Sequence, residues 1–199
     1  MNSIKLFGFI AVAALMGVLF SSTSAAMAEG TALCVVDEVP CAVGNTVIHI
    51  HETSVGKAKL LSSLPTIECN VLFLGEILTA LNSSGPVTMH GHFTYSGCNN
   101  FCSVSEPLGQ DSLISILRLG EHLGDTTGEG EVHVSCPFIN CTYNGEGLEG
   151  HALDPLTSSQ ANGSVVITKQ ETHIVSGSCP ESAFLDLTTT PLAGVYISR

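Results

Sequence analysis

The sequence predicts an all-β protein with a single disulfide-stapled domain, for which a two-sheet β-sandwich is the main expectation and a β-barrel the alternative. Short runs of residues alternate between apolar and polar with a period of two, which is typical of half-buried strands. Glycine, proline, asparagine and serine recur between these runs, as turns require. Eight cysteines can link the strands into one domain.

The first three predicted strands follow directly from the residue pattern. Residues 46–51 form a β-branched run, and residues 66–71 place Ile67 and Cys69 on one face. The strand at 86–95 is the clearest, because apolar and polar residues alternate over most of its length. Its shared face consists of Val87, Met89, Gly91, Phe93 and Tyr95.

Three further strands complete the clear part of the pattern. Residues 129–136 alternate in the same way and place Val132 and Val134 on one face, and the last clear runs are 163–169 and 183–188. Turn-forming residues punctuate the chain, and they are predicted as turns at 83–86, 125–128, 144–145 and 162–163.

The segment 112–123 fits two kinds of secondary structure. Leu113, Ile116 and Leu117 have helical spacing, but the same residues suit a buried strand. Gly120 interrupts the helical pattern. We therefore predict a strand here.

The N-terminal residues 1–28 have the features of a secretory signal peptide, and residues 29–199 are predicted as the single mature domain. Lys5 precedes a 15-residue apolar run at 6–20, and Ala26 and Ala28 are the small residues that a cleavage site needs. As a helix the apolar run is about 22 Å long, which is less than the roughly 30 Å of a bilayer core. We therefore expect a secreted or cell-surface protein with no membrane span in its mature chain.

The charge balance excludes one class of partner. The chain has 18 acidic and 6 basic residues, for a formal net charge of −12. A protein with so few cations cannot neutralise a run of phosphates, so nucleic acid is excluded. The expected partner is an unidentified extracellular or cell-envelope component.

All eight cysteines follow the predicted signal peptide, and in an exported chain an even number indicates disulfides. They are Cys34, Cys41, Cys69, Cys98, Cys102, Cys136, Cys141 and Cys179. In one arrangement the three pairs that are close in sequence (34/41, 98/102 and 136/141) form local bridges, and Cys69 joins Cys179. In the other, Cys69 joins Cys98 and Cys102 joins Cys179.

Two His-x-His pairs are the candidate metal ligands. His49 and His51 form one pair, and His90 and His92 form the other. Residues two apart on a strand point to the same side, so each pair can present two imidazoles to one ion. Adjacent strands could then assemble a four-nitrogen site suited to zinc or copper. The alternative interpretation is that these histidines are the polar outer face of half-buried strands.

Two other motifs carry less chemical information. Residues 125–131 are acidic and glycine-rich and offer carboxylates to calcium, but they lack the ligand spacing of an EF-hand loop. Gly145, Gly147 and Gly150 match the dinucleotide pattern without the strand and helix that it needs. Hydrolase signatures are absent, so no catalytic residue is predicted. No cofactor is expected, with zinc, copper and calcium left open.

The mature chain resembles a group of uncharacterised exported proteins that are abundant in soil actinobacteria. The resemblance is strongest at 128–148, which includes Cys136-Pro-Phe-Ile-Asn-Cys141, and it continues through 179–183 and 185–198. At the level of cysteine and strand pattern it covers most of 32–199. It implies export and a β-rich fold, and it transfers no activity and no catalytic residue.

Together these features predict a non-enzymatic extracellular or cell-envelope module with an interaction or structural role. A metal-binding protein that uses the histidine pairs is the alternative, and an extracellular hydrolase is the third reading.

Overall fold

A computed structural model describes residues 30–62, 65–78 and 85–199, so the predicted signal peptide lies outside the described residues. In these ranges the protein is all-β, with one short 3-10 helix at Val43–Asn45. The strands are β1 (Ala32–Cys34), β2 (His49–Ser54), β3 (Ala58–Leu61), β4 (Ile67–Ile77), β5 (Val87–Ser96), β6 (Ser103–Ser105), β7 (Ser112–Gly120), β8 (Leu123–Cys136), β9 (Ile139–Leu153), β10 (Ser164–Gly177), β11 (Ser182–Pro191) and β12 (Tyr196–Ser198).

The large sheet closes into an antiparallel barrel of eight strands. Going round the barrel, the order is β2, β4, β5, β7, β8, β9, β10 and β11, and β11 pairs again with β2. The short strand β3 continues the position of β2, because both pair with β4 on one side and with β11 on the other. Each barrel strand therefore lies beside its neighbours in the sequence, in an up-and-down arrangement.

The two-sheet sandwich was the wrong expectation, and the barrel alternative is confirmed. In a sandwich, two sheets would each keep free edges. Here β11 pairs with β10 and also with β2 and β3, so the last long strand joins the first and leaves the large sheet without a break. Closure of this kind removes the edge strands on which sheet aggregation depends.

A small two-stranded sheet packs against one end of the barrel. Strands β1 and β12 pair antiparallel, with Leu33 opposite Ile197. Both side chains are buried in the main hydrophobic cluster, together with Val47, which precedes β2, and with Val87 and Met89 from the barrel. This sheet therefore extends the barrel's core at that end.

Alternation along the strands places the core inside the barrel. On β5 the predicted face is confirmed: Val87, Met89 and Gly91 are buried, whereas His92 is exposed. Phe73 on β4 is fully buried, and its ring lies 4.7 Å from that of Phe93. The aromatic residues thus pack across neighbouring strands inside the barrel.

Four disulfides join the eight cysteines of the described chain, and none is free. They link Cys34 to Cys41, Cys69 to Cys98, Cys102 to Cys136, and Cys141 to Cys179. The predicted 34/41 and 69/98 pairs are confirmed. The 98/102, 136/141, 69/179 and 102/179 pairs were wrong, because neighbouring barrel strands bring the other cysteines together.

One ambiguous segment and two predicted turns are resolved by the barrel, and the predicted turn at 144–145 was wrong because both residues lie inside β9. Residues 112–120 form strand β7, as predicted. Residues 125–131, however, lie inside the long strand β8 and do not form a turn. Gly130 suits this strand because β7 lies close to it: a Cβ on Gly130 would lie 2.5 Å from the Ser112 hydroxyl oxygen. The acidic segment therefore carries no loop of the calcium-binding type.

Candidate functional site

The interior of the barrel contains a cavity of about 100 Å³. Most of its wall is apolar and comes from opposite sides of the barrel, with Val71, Phe93, Ile114, Ile167 and Leu187 among the lining residues. Tyr95 also lines it, and it points inward although its side chain keeps partial accessible surface. A cavity of this size is smaller than the roughly 150 Å³ cavity that holds a benzene molecule. It has room for a small apolar group.

A carboxyl group lies in this apolar wall. Glu52 on β2 is 2% exposed, and its Oε2 accepts a hydrogen bond of 2.5 Å from Thr189 Oγ1 on β11. Burial raises the pKa of the Glu52 carboxyl, and the Thr189 hydrogen bond opposes that shift only in part. Removal from water disfavours the charged carboxylate. A cationic ligand group in the cavity would reverse that preference.

The other buried carboxyl of the described chain has a structural role. Asp154 is fully buried, and its Oδ2 lies 2.6 Å from Nδ1 of His122. Its Oδ1 accepts a hydrogen bond of 3.0 Å from the backbone N–H of Leu156 and one of 3.5 Å from the Thr157 hydroxyl. Donors from two loops therefore surround Asp154, whereas Glu52 has one side-chain donor and borders a cavity.

The cavity adjoins an acidic depression on the barrel surface. Ser112, Glu129 and Glu131 contribute to both. The depression has five carboxylates among its described lining residues and no basic side chain, and these are Glu106, Asp111, Glu129, Glu131 and Glu146. Tyr95 lines the cavity and also feels the charge of Glu106 in the depression. Burial, and after it the charge of Glu106, raise the pKa of the Tyr95 hydroxyl. A cation near the cavity therefore meets a negative potential.

Sequence reasoning missed Glu52, although a signal was present. His49 and His51 are outward on β2, and Ile50 is buried. Strand alternation therefore points Glu52 inward, like Ile50. An acidic residue at an inward position is unusual enough to mark a candidate site.

The two histidine pairs lie on the outer face of the barrel, as the polar-face interpretation predicts. His49 and His51 are exposed, and His92 is exposed beside the half-buried His90. They do not form a four-nitrogen site, because β4 separates β2 from β5. Within the described residues, no three of their ring nitrogens lie within 4.8 Å of one another, so the four-nitrogen arrangement is not formed here.

The two pairs differ in their surroundings. Asp111 lies with Oδ2 3.3 Å from His90 Nδ1 and with Oδ1 3.2 Å from His92 Nε2. Glu106 Oε2 lies 3.3 Å from His92 Nδ1, and Glu76 Oε2 lies 3.9 Å from His90 Nε2. Asp111 and Glu106 precede β7, so no periodic pattern in the sequence points to them.

A compact cluster of metal-ligand types elsewhere has another explanation. In the described residues, Cys34, Glu38 and Cys41 are the one group of three whose donor atoms all lie within 4.8 Å of one another. Both sulfur atoms belong to a disulfide and are not thiolates. The Glu38 carboxylate already has hydrogen-bond partners, since its Oε1 accepts hydrogen bonds from the Ala42 N–H and the Asn45 amide.

The chain matches no protein-family model, no curated protein and no solved structure. Within the three described ranges, no helix has the length and apolar character needed to cross a membrane. Four disulfides are typical of a protein from an oxidising compartment. The candidate sites rest on the geometry of this chain.

Proposed function

We propose that this protein is an exported, non-enzymatic binding module whose barrel holds a small apolar molecule with an amino group. The observation that carries the proposal is the apolar cavity with the buried carboxyl of Glu52 in its wall. Interiors of proteins are normally packed to high density, and buried carboxyls normally have several partners. A cavity that borders a carboxyl with one side-chain donor is therefore a candidate ligand site.

The apolar wall of the cavity limits the size of the ligand and provides the main driving force for its binding. A volume of about 100 Å³ accommodates roughly four non-hydrogen atoms, by comparison with the six of benzene in a cavity of roughly 150 Å³. Each buried methylene contributes about 0.8 kcal/mol, which corresponds to about a fourfold gain in affinity. Rings such as those of Phe93 and Tyr95 supply flat contact surface for a short alkyl group.

Charge selects the head group of the ligand. The carboxylates of the adjoining depression favour cations and repel carboxylic acids. Inside the barrel, an ammonium group can pair with Glu52 and donate hydrogen bonds to it. Alcohols carry no positive charge that could pair with these carboxyl groups. Alkanoates carry a negative charge, which the carboxylates of the depression repel. An amine is therefore the ligand class that fits both the interior and the depression.

Binding, and not catalysis, is the function that these groups support best. A raised pKa by itself suits a carboxyl equally to proton transfer and to pairing with an ammonium group, and the apolar wall of the cavity favours binding. Export is supported by the disulfides and by the predicted signal peptide. The finer location, secreted or held at the cell surface, belongs to the same proposal.

Calorimetric titration of the oxidised protein with matched ligands tests the proposal. We expect propylamine to bind at least tenfold more tightly than propanol or propanoate. In the series from methylamine to propylamine, affinity should rise about fourfold per methylene. Equal binding of all three head groups, or no binding of any, would overturn the proposal.

Two isosteric variants identify the site. Glu52→Gln removes the ionisable group that can pair with an ammonium ion and should weaken propylamine binding at least tenfold. Glu171→Gln makes the same change at an exposed position on β10 and should leave affinity within twofold. Equal effects of the two variants would show that general charge, and not the cavity, attracts the amine.

A further inference from the structure

We propose that His90, His92 and Asp111, with Glu106 beside them, form a binding site for a zinc or copper(II) ion on the outer face of the barrel. This site is separate from the interior cavity and does not rest on the amine-binding proposal. The argument starts from the strand that presents the two histidines.

Strand β5 fixes the spacing of the imidazoles. His90 and His92 are two residues apart and point outward, opposite to the buried Met89 and Gly91. Two histidines in this arrangement can ligate one ion, since both side chains leave the same face of one rigid strand. Barrel pairing on both sides of β5 keeps that backbone in place.

Asp111 contacts both histidines of β5. Its carboxylate oxygens lie 3.3 Å from His90 Nδ1 and 3.2 Å from His92 Nε2. Two ligands on a tetrahedral zinc, with bonds near 2.05 Å, are about 3.3 Å apart. The observed separations match that value. The two histidines contact different oxygens of Asp111, and the donor atoms of the three residues do not all lie within 4.8 Å of one another. Rotation of these exposed side chains is therefore needed to bring them onto one ion.

Glu106 orients His92 for this role. Its side chain is 9% exposed, and its Oε2 lies 3.3 Å from His92 Nδ1, which is not the ring nitrogen that faces Asp111. Its Oε1 accepts a hydrogen bond of 2.7 Å from the buried Ser112 hydroxyl. Glu106 therefore holds the His92 ring with Nε2 towards the ion, as carboxylates hydrogen-bonded to metal-binding histidines do. The ligand set has two imidazoles and one carboxylate, which suits zinc or copper(II) and leaves a further position open to water.

The charge around the cluster also favours a cation. Glu76 Oε2 lies 3.9 Å from His90 Nε2 on the neighbouring strand β4. Three carboxylates therefore face the two histidines, namely Glu76, Glu106 and Asp111. Zinc and copper(II) bind the unprotonated imidazole, so protons compete with the metal and its affinity should fall at low pH.

The other histidine pair provides a matched control. His49 and His51 have the same spacing on the same outer face of the barrel. The register places Glu76 beside His49, but Asp111 and Glu106 contact only the β5 pair among the described ion pairs. The control therefore separates the carboxylate-supported site from any effect of two surface histidines.

Calorimetric titration of tag-free, oxidised, EDTA-treated protein with zinc chloride and with copper(II) chloride tests the site. At pH 7.5 we expect one ion per chain, and at pH 5.5 at least tenfold weaker binding. A metal at about one hundred times its Kd should also raise Tm by about 5 to 10 °C. The absence of binding by either ion would overturn the proposal.

Three variants locate the ion. The double variant His90→Ala/His92→Ala should lose at least tenfold in affinity, and Asp111→Asn should lose a similar amount while it keeps the side-chain shape. The double variant His49→Ala/His51→Ala should stay within twofold of the original protein. An equal loss in the two histidine variants would contradict the assignment. Glu52→Gln should bind metal normally, which distinguishes failure here from failure of the amine proposal.

Discussion

Thr189 Oγ1 donates a hydrogen bond to Glu52 Oε2 across the line where β11 meets β2, and so it joins the last long strand of the barrel to the first. The two residues are 137 positions apart in the sequence. This one contact links the closure of the barrel to the carboxyl group in its cavity. Its removal should therefore affect both stability and the ionisation of Glu52.

Thr189→Val should destabilise the protein by about 1–3 kcal/mol, because the variant keeps the side-chain shape but leaves a buried carboxyl without its donor. Urea unfolding measures this change. Thr94→Val is the control, since Thr94 is an exposed residue of β5, and it should change the free energy of unfolding by less than about 0.5 kcal/mol. Similar values for the two variants would show that the Glu52 contact contributes little.

The stability of the protein should fall as the pH rises from 5 to 8, in part because of Glu52. In the unfolded chain this carboxyl loses its proton near its ordinary pKa of 4.5, whereas burial keeps it protonated to higher pH in the folded protein. The folded state thus binds more protons above pH 4.5, and the free energy of unfolding falls with pH. Thermal unfolding across this range should show a smaller fall for Glu52→Gln. A fall of equal size in both proteins would contradict this assignment.

Gly91→Ala should destabilise the barrel by about 1–3 kcal/mol or more, because no space exists for a methyl group. A Cβ at this position would meet the Leu74 carbonyl oxygen and would lie 2.6 Å from Gly75 Cα and 2.8 Å from the Phe73 ring. Gly44→Ala is the control, since a Cβ there meets nothing within 4 Å. Chemical denaturation of both variants is the measurement, and a neutral Gly91→Ala would show that β4 and β5 are less tightly packed than described.

The disulfides should differ in their contributions to stability. Cys141 and Cys179 are 38 positions apart, and Cys34 and Cys41 are 7 apart. Loop-closure entropy then predicts a loss of about 4 kcal/mol for Cys141→Ser/Cys179→Ser and about 2 kcal/mol for Cys34→Ser/Cys41→Ser. Urea unfolding of the two double-serine variants checks the ranking. If the short bridge proves the more stabilising, the unfolded-chain explanation is wrong.

Local patterns predicted the strands well because they depend on neighbouring residues. Alternation at 86–95 identified the inward face of β5, and Gly120 pointed correctly to a strand for 112–120. The sequence pattern gave a wrong prediction where a residue type occurs both in turns and within strands. The glycines and Asp125 of residues 125–131 are common in turns, but in the barrel they lie within β8, where Gly130 leaves room for Ser112.

Closure of the sheet was beyond what the sequence pattern could determine. A sandwich and a barrel use the same alternating strands, and they differ in whether β11 pairs with β2 and β10. Those contacts join distant segments and leave no local signature. The two candidate sites differ in this respect. The inward position of Glu52 follows from strand alternation and could have been predicted. The approach of Asp111 to His90 and His92 depends on a loop conformation, which the sequence pattern does not determine.

The most direct test of the central claim is an isotope-filtered NOE experiment on labelled protein with unlabelled propylamine. The account predicts cross-peaks from the ligand methylene protons to the ring protons of Phe93 and Tyr95, which line the cavity. Cross-peaks confined to exposed residues of the outer face, such as Leu74 and Leu117, or no cross-peaks at all, would contradict it.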